Sequence, residues 1–150
     1  MKRIQYIRLR KWPPHHAESA RKAGFYVEAI QTLHAWLETQ LRSVLMLSPT
    51  AKVLHERGDY EKAWDVSNEI SFIAATNAAF VAGLIPRKTH EQLRSFNSVR
   101  NTLIHKLIYE PYEFAYEGMP KRKYTAAFKL GLKLGAQLER HLERRRRRAA

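Results

Sequence analysis

Apolar side chains recur every three or four positions along most of this chain, the spacing of an amphipathic α-helix. The clearest stripe is Tyr26, Ile30, Leu33, Leu37, Leu41 and Val44. It follows Gly24 and stops at Ser48-Pro49-Thr50, because the residue before a proline is pushed out of the helical region. A shorter helix is expected over 16–23, after an irregular start closed by Pro13-Pro14. Asp59 is the expected cap of a third helix running to about residue 83. Its second half (FIAATNAAFVAGLI) is apolar or small nearly all round, which predicts a place at the centre of the core. Pro86 separates it from a fourth helix over 89–108, with Thr89 as cap and Glu91 in the first turn. An irregular link (EPYEFAYEGMP) leads to a fifth helix from residue 121 into a run of arginines, with Ala127, Leu130, Leu134 and Leu138 among its apolar positions. No segment alternates as a strand. The pattern predicts an all-α, single-domain, up-and-down bundle of four to five helices over 1–150, with an irregular arm at 1–15 and an arginine-rich tail at 144–150.

One short pattern repeats. Gly24-x-Tyr26-x-x-Ala29 returns as Gly58-x-Tyr60-x-x-Ala63, an offset of 34 residues, which is the tetratricopeptide period. A further step of 34 reaches Gln92 with neither glycine nor tyrosine. Two copies do not make a stable solenoid, so the repeat reads as two similar helix turns.

Composition removes whole classes of function. With 45% apolar and 27% charged residues, the chain is globular in type. The absence of cysteine excludes a disulfide scaffold, a Cys-ligated zinc site and a thiol nucleophile. The N-terminal stretch MKRIQYIRLRKWPP has no apolar h-region, so no secretory signal is expected. The most apolar stretch, 70–85, is broken by Ser71, Thr76 and Asn77 and is shorter than the roughly 20 residues of a membrane span. These features predict a soluble, cytoplasmic protein with no membrane partner. No metal or cofactor is expected either, since the adjacent pair His15-His16 specifies no coordination geometry.

Charge then narrows the partner. Lys and Arg number 27 against 14 acids, a formal net charge of +13. Residues 1–22 carry seven basic residues and one acid, Glu18, and residues 121–148 carry eleven against Glu139 and Glu143. Such a surface concentrates polyanions, nucleic acid first among them. Lys121, Arg122 and Lys123, with Arg144, Arg145, Arg146, Arg147 and Arg148, are the candidate nucleic-acid contacts. The terminal run has an equal reading as a solvated, frayed tail.

The fourth helix carries the candidate chemistry. On a helical wheel Leu93, Phe96, Val99, Leu103, Ile104, Leu107 and Ile108 span an arc of about 180°, with Arg100 near its middle. Asn97, Asn101 and His105 form a row at one edge of that arc. A guanidinium stays charged, so an arginine on a core-facing arc must meet an anion or a crevice. An internal ion pair, with Glu38 on the second helix, is one reading, a side chain that snorkels out to solvent is another, and a polar groove against a second subunit is the third. The same Arg-x4-His spacing at Arg10 and His15 spans Pro13-Pro14 and carries no motif.

Arg100-Asn101 followed by three residues and His105, late in an all-α chain of this size, resembles the motif of the HEPN superfamily (higher eukaryotes and prokaryotes nucleotide-binding domain). The likeness extends loosely over 16–142, including GFYVEAIQTLHAWLETQLRSVL. It implies a helical bundle that dimerises so that two motifs face each other in a cleft. It also implies a metal-independent endoribonuclease, acting as a toxin or defence effector, with Arg100, Asn101 and His105 catalytic. Such a toxin is paired in some members with a nucleotidyltransferase-type antitoxin that modifies a tyrosine two residues after the histidine. Here that position is Leu107, and the nearest tyrosines are Tyr109 and Tyr112. Two other functions fit the same residues. One is a non-catalytic HEPN-like adaptor for a partner protein or nucleotide, and the other is a basic helical nucleic-acid binder gripping phosphates through its two ends.

Overall fold

The stripe from Tyr26 to Val44 builds the central element. In the computed structural model, which describes residues 6–109 and 118–149 apart from the side chains of Thr50, Ile108, Tyr109 and Ala149, it forms α2 (Tyr26–Met46). Ile30, Leu33, Leu37, Leu41 and Val44 on it are fully buried. Burying each such side chain contributes about 1.5–3 kcal/mol, so α2 is the main source of the core's stability. The remaining helices are α1 (Pro13–Lys22), α3 (Pro49–Glu56), α4 (Tyr60–Glu69), α5 (Phe72–Val81), α6 (Arg87–Tyr109) and α7 (Lys121–Ala149). The chain is thus an all-helical bundle. Seven helices are present among the described residues, and five of them (α1, α2, α5, α6 and α7) supply the fully buried side chains of one hydrophobic cluster.

Side-chain contacts give the helix directions. Tyr26 meets Tyr124, Leu33 meets Gly131 and Trp36 meets Gly135, a constant offset that makes α2 and α7 parallel. His34 pairs with Asn97 and Gln31 with Arg100, so α6 runs antiparallel to α2. Gly131 and Gly135 lie one turn apart on α7. A Cβ at Gly131 would come within 2.7 Å of the Phe96 ring, and one at Gly135 would collide with the Trp36 indole. Those two glycines let α2 and α6 seat their aromatic rings directly on the α7 backbone.

Several local features differ from the sequence expectation, each for an identifiable reason. Pro13 and Pro14 open α1 instead of closing an irregular start, because proline's fixed φ suits the first helical positions. The arm is therefore shorter than 1–15: among the described residues it runs over 6–12. Pro49 both ends α2 and starts α3, a helix the pattern did not foresee, with the Ser48 hydroxyl accepting from the Ala51 N–H at 3.4 Å. The expected third helix is two helices. The chain turns extended at Ile70, Arg42 donates to the freed Ile70 carbonyl at 3.0 Å, and Ser71 caps α5 by accepting from the Ala74 N–H at 3.2 Å. Asp59 makes no side-chain cap, since its backbone N–H closes the end of α3 onto the Leu54 carbonyl.

Thr89 is not a cap either. It lies within the first turn of α6, where the His90 N–H already reaches the Pro86 carbonyl at 3.1 Å. The segment expected at the centre of the core covers only one flank of it. Phe72, Ala75, Thr76 and Ala79 are buried, while Ala74, Ala78, Phe80 and Val81 remain exposed. The arginine run continues α7 to Ala149, since arginine is a good helix former and positive charge suits a helix C-terminus.

The Gly-x-Tyr echo marks two equivalent turns. Gly24 and Gly58 both have positive φ (87° and 76°), and the residue after each donates its N–H five positions back, to Ala20 and Leu54. That is the Schellman closure glycine favours, and Gly83 repeats it after α5. The irregular link before α7 and Tyr112 lie largely outside the described residues, as do residues 1–5 and Ala150. No helix among the described residues is long and apolar enough to cross a membrane.

Candidate functional site

The three motif residues sit in the second half of α6 and divide between two sides of it. Asn97, Asn101 and His105 recur every fourth position and line a groove of about 460 Å³. Ile73 of α5 forms the facing wall, and Arg94 and Lys106 lie at the rim. Exposure rises along the row, from buried Asn97 through half-buried Asn101 to exposed His105. Among the described residues no carboxylate lines the groove, and the formal charges they place on its wall, Arg94 and Lys106, are positive. An anion entering it meets two cations together with the amides of Asn97 and Asn101 and the hydroxyls of Ser98 and Thr102.

Arg100 points to the α2 side. Its Nε donates to Gln31 Oε1 at 2.7 Å, and its Nη1 donates to Asn101 Oδ1 at 2.9 Å. The expected ion pair with Glu38 is absent: Glu38 pairs with Arg42 at 3.4 Å instead. The half-buried guanidinium is thus fixed by two amide oxygens and neutralised by no carboxylate among the described residues. Two neutral acceptors orient the group without compensating its charge. Through Asn101, the side chain that fixes Arg100 also lines the groove that holds His105.

Behind the row, His34 Nε2 and Asn97 Oδ1 are 3.1 Å apart, and the His34 ring stacks on Phe72. Gln31 and His34, three residues apart on α2, therefore each hold one polar residue of α6. Neither was singled out from sequence. Their signal was the polar border they form beside the Ile30–Leu33–Leu37 stripe, but only the packed structure pairs them with α6. Burial is the first cause that lowers the His34 pKa, and the nearby Arg100 charge adds to it, against the Asn97 hydrogen bond and Glu38.

A stability consequence follows from His34. Its folded pKa lies below the ordinary value of 6.5, so protonation favours the unfolded chain. The contribution is present in full above 6.5 and is lost as pH falls through the lowered folded value. His141, lowered by burial and then by Arg145 and Arg144, acts in the same direction. The melting temperature should therefore drop as pH is taken from about 7.5 to about 5, and His34→Gln should flatten that drop. An equal drop in His34→Gln would remove His34 from the account.

The candidate nucleic-acid contacts do not form one patch. Lys121, Arg122 and Lys123 are exposed at the start of α7, near Leu103 and Leu107 and thus at the His105 end of α6. Arg144, Arg146, Arg147 and Arg148 are exposed and Arg145 half-buried at the other end of α7, about 36 Å away at 1.5 Å per residue. Only the first cluster lies near the motif. Leu107, the position after the histidine where a modifiable tyrosine would stand, packs half-buried against Gly118. The Tyr109 side chain and Tyr112 lie outside the described residues. Among the described residues, no group of three or more His, Asp or Glu is arranged to hold a metal ion.

Compared with known protein families, with curated proteins and with solved structures, the chain matches none.

Proposed function

We propose that this chain is a HEPN-like endoribonuclease that cuts RNA through its ribose 2′-hydroxyl without using a metal ion, at a site completed by a second copy. The observation that carries this reading is the pairing of a two-point-held Arg100, which meets no carboxylate among the described residues, with Asn101 and His105 beside a groove whose described lining holds cations and neutral groups. The 2′-oxygen attacks phosphorus as its proton passes to one imidazole. The bond from phosphorus to the 5′-oxygen breaks, and a second imidazole, protonated beforehand, gives its proton to that oxygen. Imidazole titrates near neutrality and serves either role, and a homodimer supplies two copies of His105. Arg100 stabilises the charge that builds on the phosphorane oxygens. The products are a 2′,3′-cyclic phosphate and a 5′-hydroxyl. Ala74, Ala78 and Val81 are exposed on α5, the helix that also supplies Ile73 to the groove, and offer an apolar surface to a second copy. A nucleotidyltransferase-type antitoxin fits the same family reading, with its modification site displaced from Leu107. A toxin or defence role in the cytoplasm belongs to that reading too.

Incubating the wild-type protein with total RNA in excess chelator tests it. New 2′,3′-cyclic ends and a dimeric mass in sedimentation are the expected result. Intact RNA with a folded dimer would favour the adaptor reading. Intact RNA with strongly salt-dependent binding would favour the nucleic-acid binder.

A further inference from the structure

The arm and the C-terminal end of α7 meet over α2 well away from the motif, and they enclose a groove of about 540 Å³. Its lining includes Leu9, Trp12, Trp36, Thr39, Ser43 and Arg146. Trp12 is 51% exposed and Leu9 53%, and both line this groove. Trp12 packs in a T-shaped contact with Trp36, ring centroids 6.4 Å apart and planes at 77°, which fixes its position while half of the side chain stays exposed. Trp36 is 6% exposed, and its indole N–H is buried with no hydrogen-bond partner among the described residues.

Charge selects the occupant. Among the described residues, Arg146 is the charged residue of the lining and no carboxylate joins it. Leu9 also borders the adjoining groove, which carries Arg8, Arg10 and Lys11 of the arm, with Glu28 at its edge. A half-exposed indole in the same groove as a guanidinium, on a surface rich in cations, has the two elements that bind single-stranded nucleic acid: an aromatic ring on which a base can stack and a cation for its phosphate. A hydrophobic peptide would use the aromatic face but not the arginines.

We infer that this groove binds one nucleotide of single-stranded RNA, with its base stacked on Trp12 and its phosphate on Arg146, as a docking site remote from the cleavage site. The inference rests on the RNA reading above for its ligand, but not on cleavage. Pairing along α2 places His105 level with about residue 26 and this groove near residue 38, about 18 Å apart along the helix axis. The site therefore belongs to a strand, not to a dinucleotide.

The test uses the full chain carrying His105→Ala, so that the probe survives. Fluorescence anisotropy with a labelled single-stranded 12-mer should show binding about tenfold weaker for Trp12→Ala and nearly unchanged for Trp12→Phe. Arg146→Ala should lower the salt slope by about one. Crosslinking with a 5-iodouridine 12-mer, read by mass spectrometry, should mark Trp12 in the otherwise unmodified arm, which keeps the proposal testable if Trp12→Ala fails to fold. Equal affinity in Trp12→Ala, adducts confined to other segments, or a mononucleotide binding as tightly as the 12-mer would each overturn it. Trp12-dependent binding by a protein whose wild type cuts no RNA would leave this site standing and remove the catalytic one.

Discussion

Replacing Arg100 by alanine is expected to slow RNA cleavage by about two to three orders of magnitude while leaving the bundle folded, the loss typical of removing one preorganised donor from a developing oxyanion. The fold should tolerate the change because Arg100 contributes no ion pair. Gln31 and Asn101, the acceptors it leaves behind, are both half-buried and can turn to water. Arg100→Lys should recover little activity. An ammonium cannot donate to Gln31 and Asn101 at once and still present a fork to phosphate. If Arg100→Ala instead lowered the melting temperature sharply and left cleavage per folded molecule unchanged, the arginine would be a structural residue only. Single-turnover rates and thermal melts on the same preparations separate the two outcomes.

The second large effect is on stability, at Gly135. In an isolated helix, glycine to alanine gains about 1 kcal/mol. Here the added methyl would collide with the Trp36 indole, whose rigid ring is itself braced by Trp12 and cannot swing away as a flexible chain end would. Overpacking of this kind costs about 1–3 kcal/mol. Gly135→Ala should therefore lower the melting temperature by about 5 °C, against the intrinsic propensity. The larger Gly135→Val should cost more. Adding Trp36→Leu to Gly135→Ala should restore part of the loss, giving a favourable coupling in a double-mutant cycle. Additive effects would show that α2 and α7 can separate to make room.

The parts of this molecule that sequence made legible are those governed by one helix at a time. The α2 stripe needed only its own spacing, and so did the row Asn97–Asn101–His105 and the core-facing placement of Arg100. Breaks caused by a single side chain were harder. Ser71 looks like a polar interruption of one long apolar helix until Arg42, from a different helix, is seen to hold the Ile70 carbonyl. Pro49 reads as a stop and is also a start, because proline fits a helix's first turn.

Contacts between helices were not legible at all. The spacing of Gly131 and Gly135 fits a close approach, but nothing local says that Phe96 and Trp36 fill it. For the same reason, the wheel showed that Arg100 needs a partner and suggested Glu38, a charge on the right helix. The partner is Gln31, two turns earlier on α2, and that choice leaves the arginine's charge uncompensated by a carboxylate among the described residues. The difference matters chemically, since an arginine neutralised by Glu38 would have little attraction left for a phosphate.

The most direct test of the account is a matched comparison of wild type and His105→Ala on total RNA in excess chelator, with cleaved ends mapped and circular dichroism on both proteins. The account predicts 2′,3′-cyclic ends from the wild type alone, with both proteins equally helical. Equal cleavage by the two folded proteins would contradict it, because the imidazole that the mechanism requires would then be dispensable.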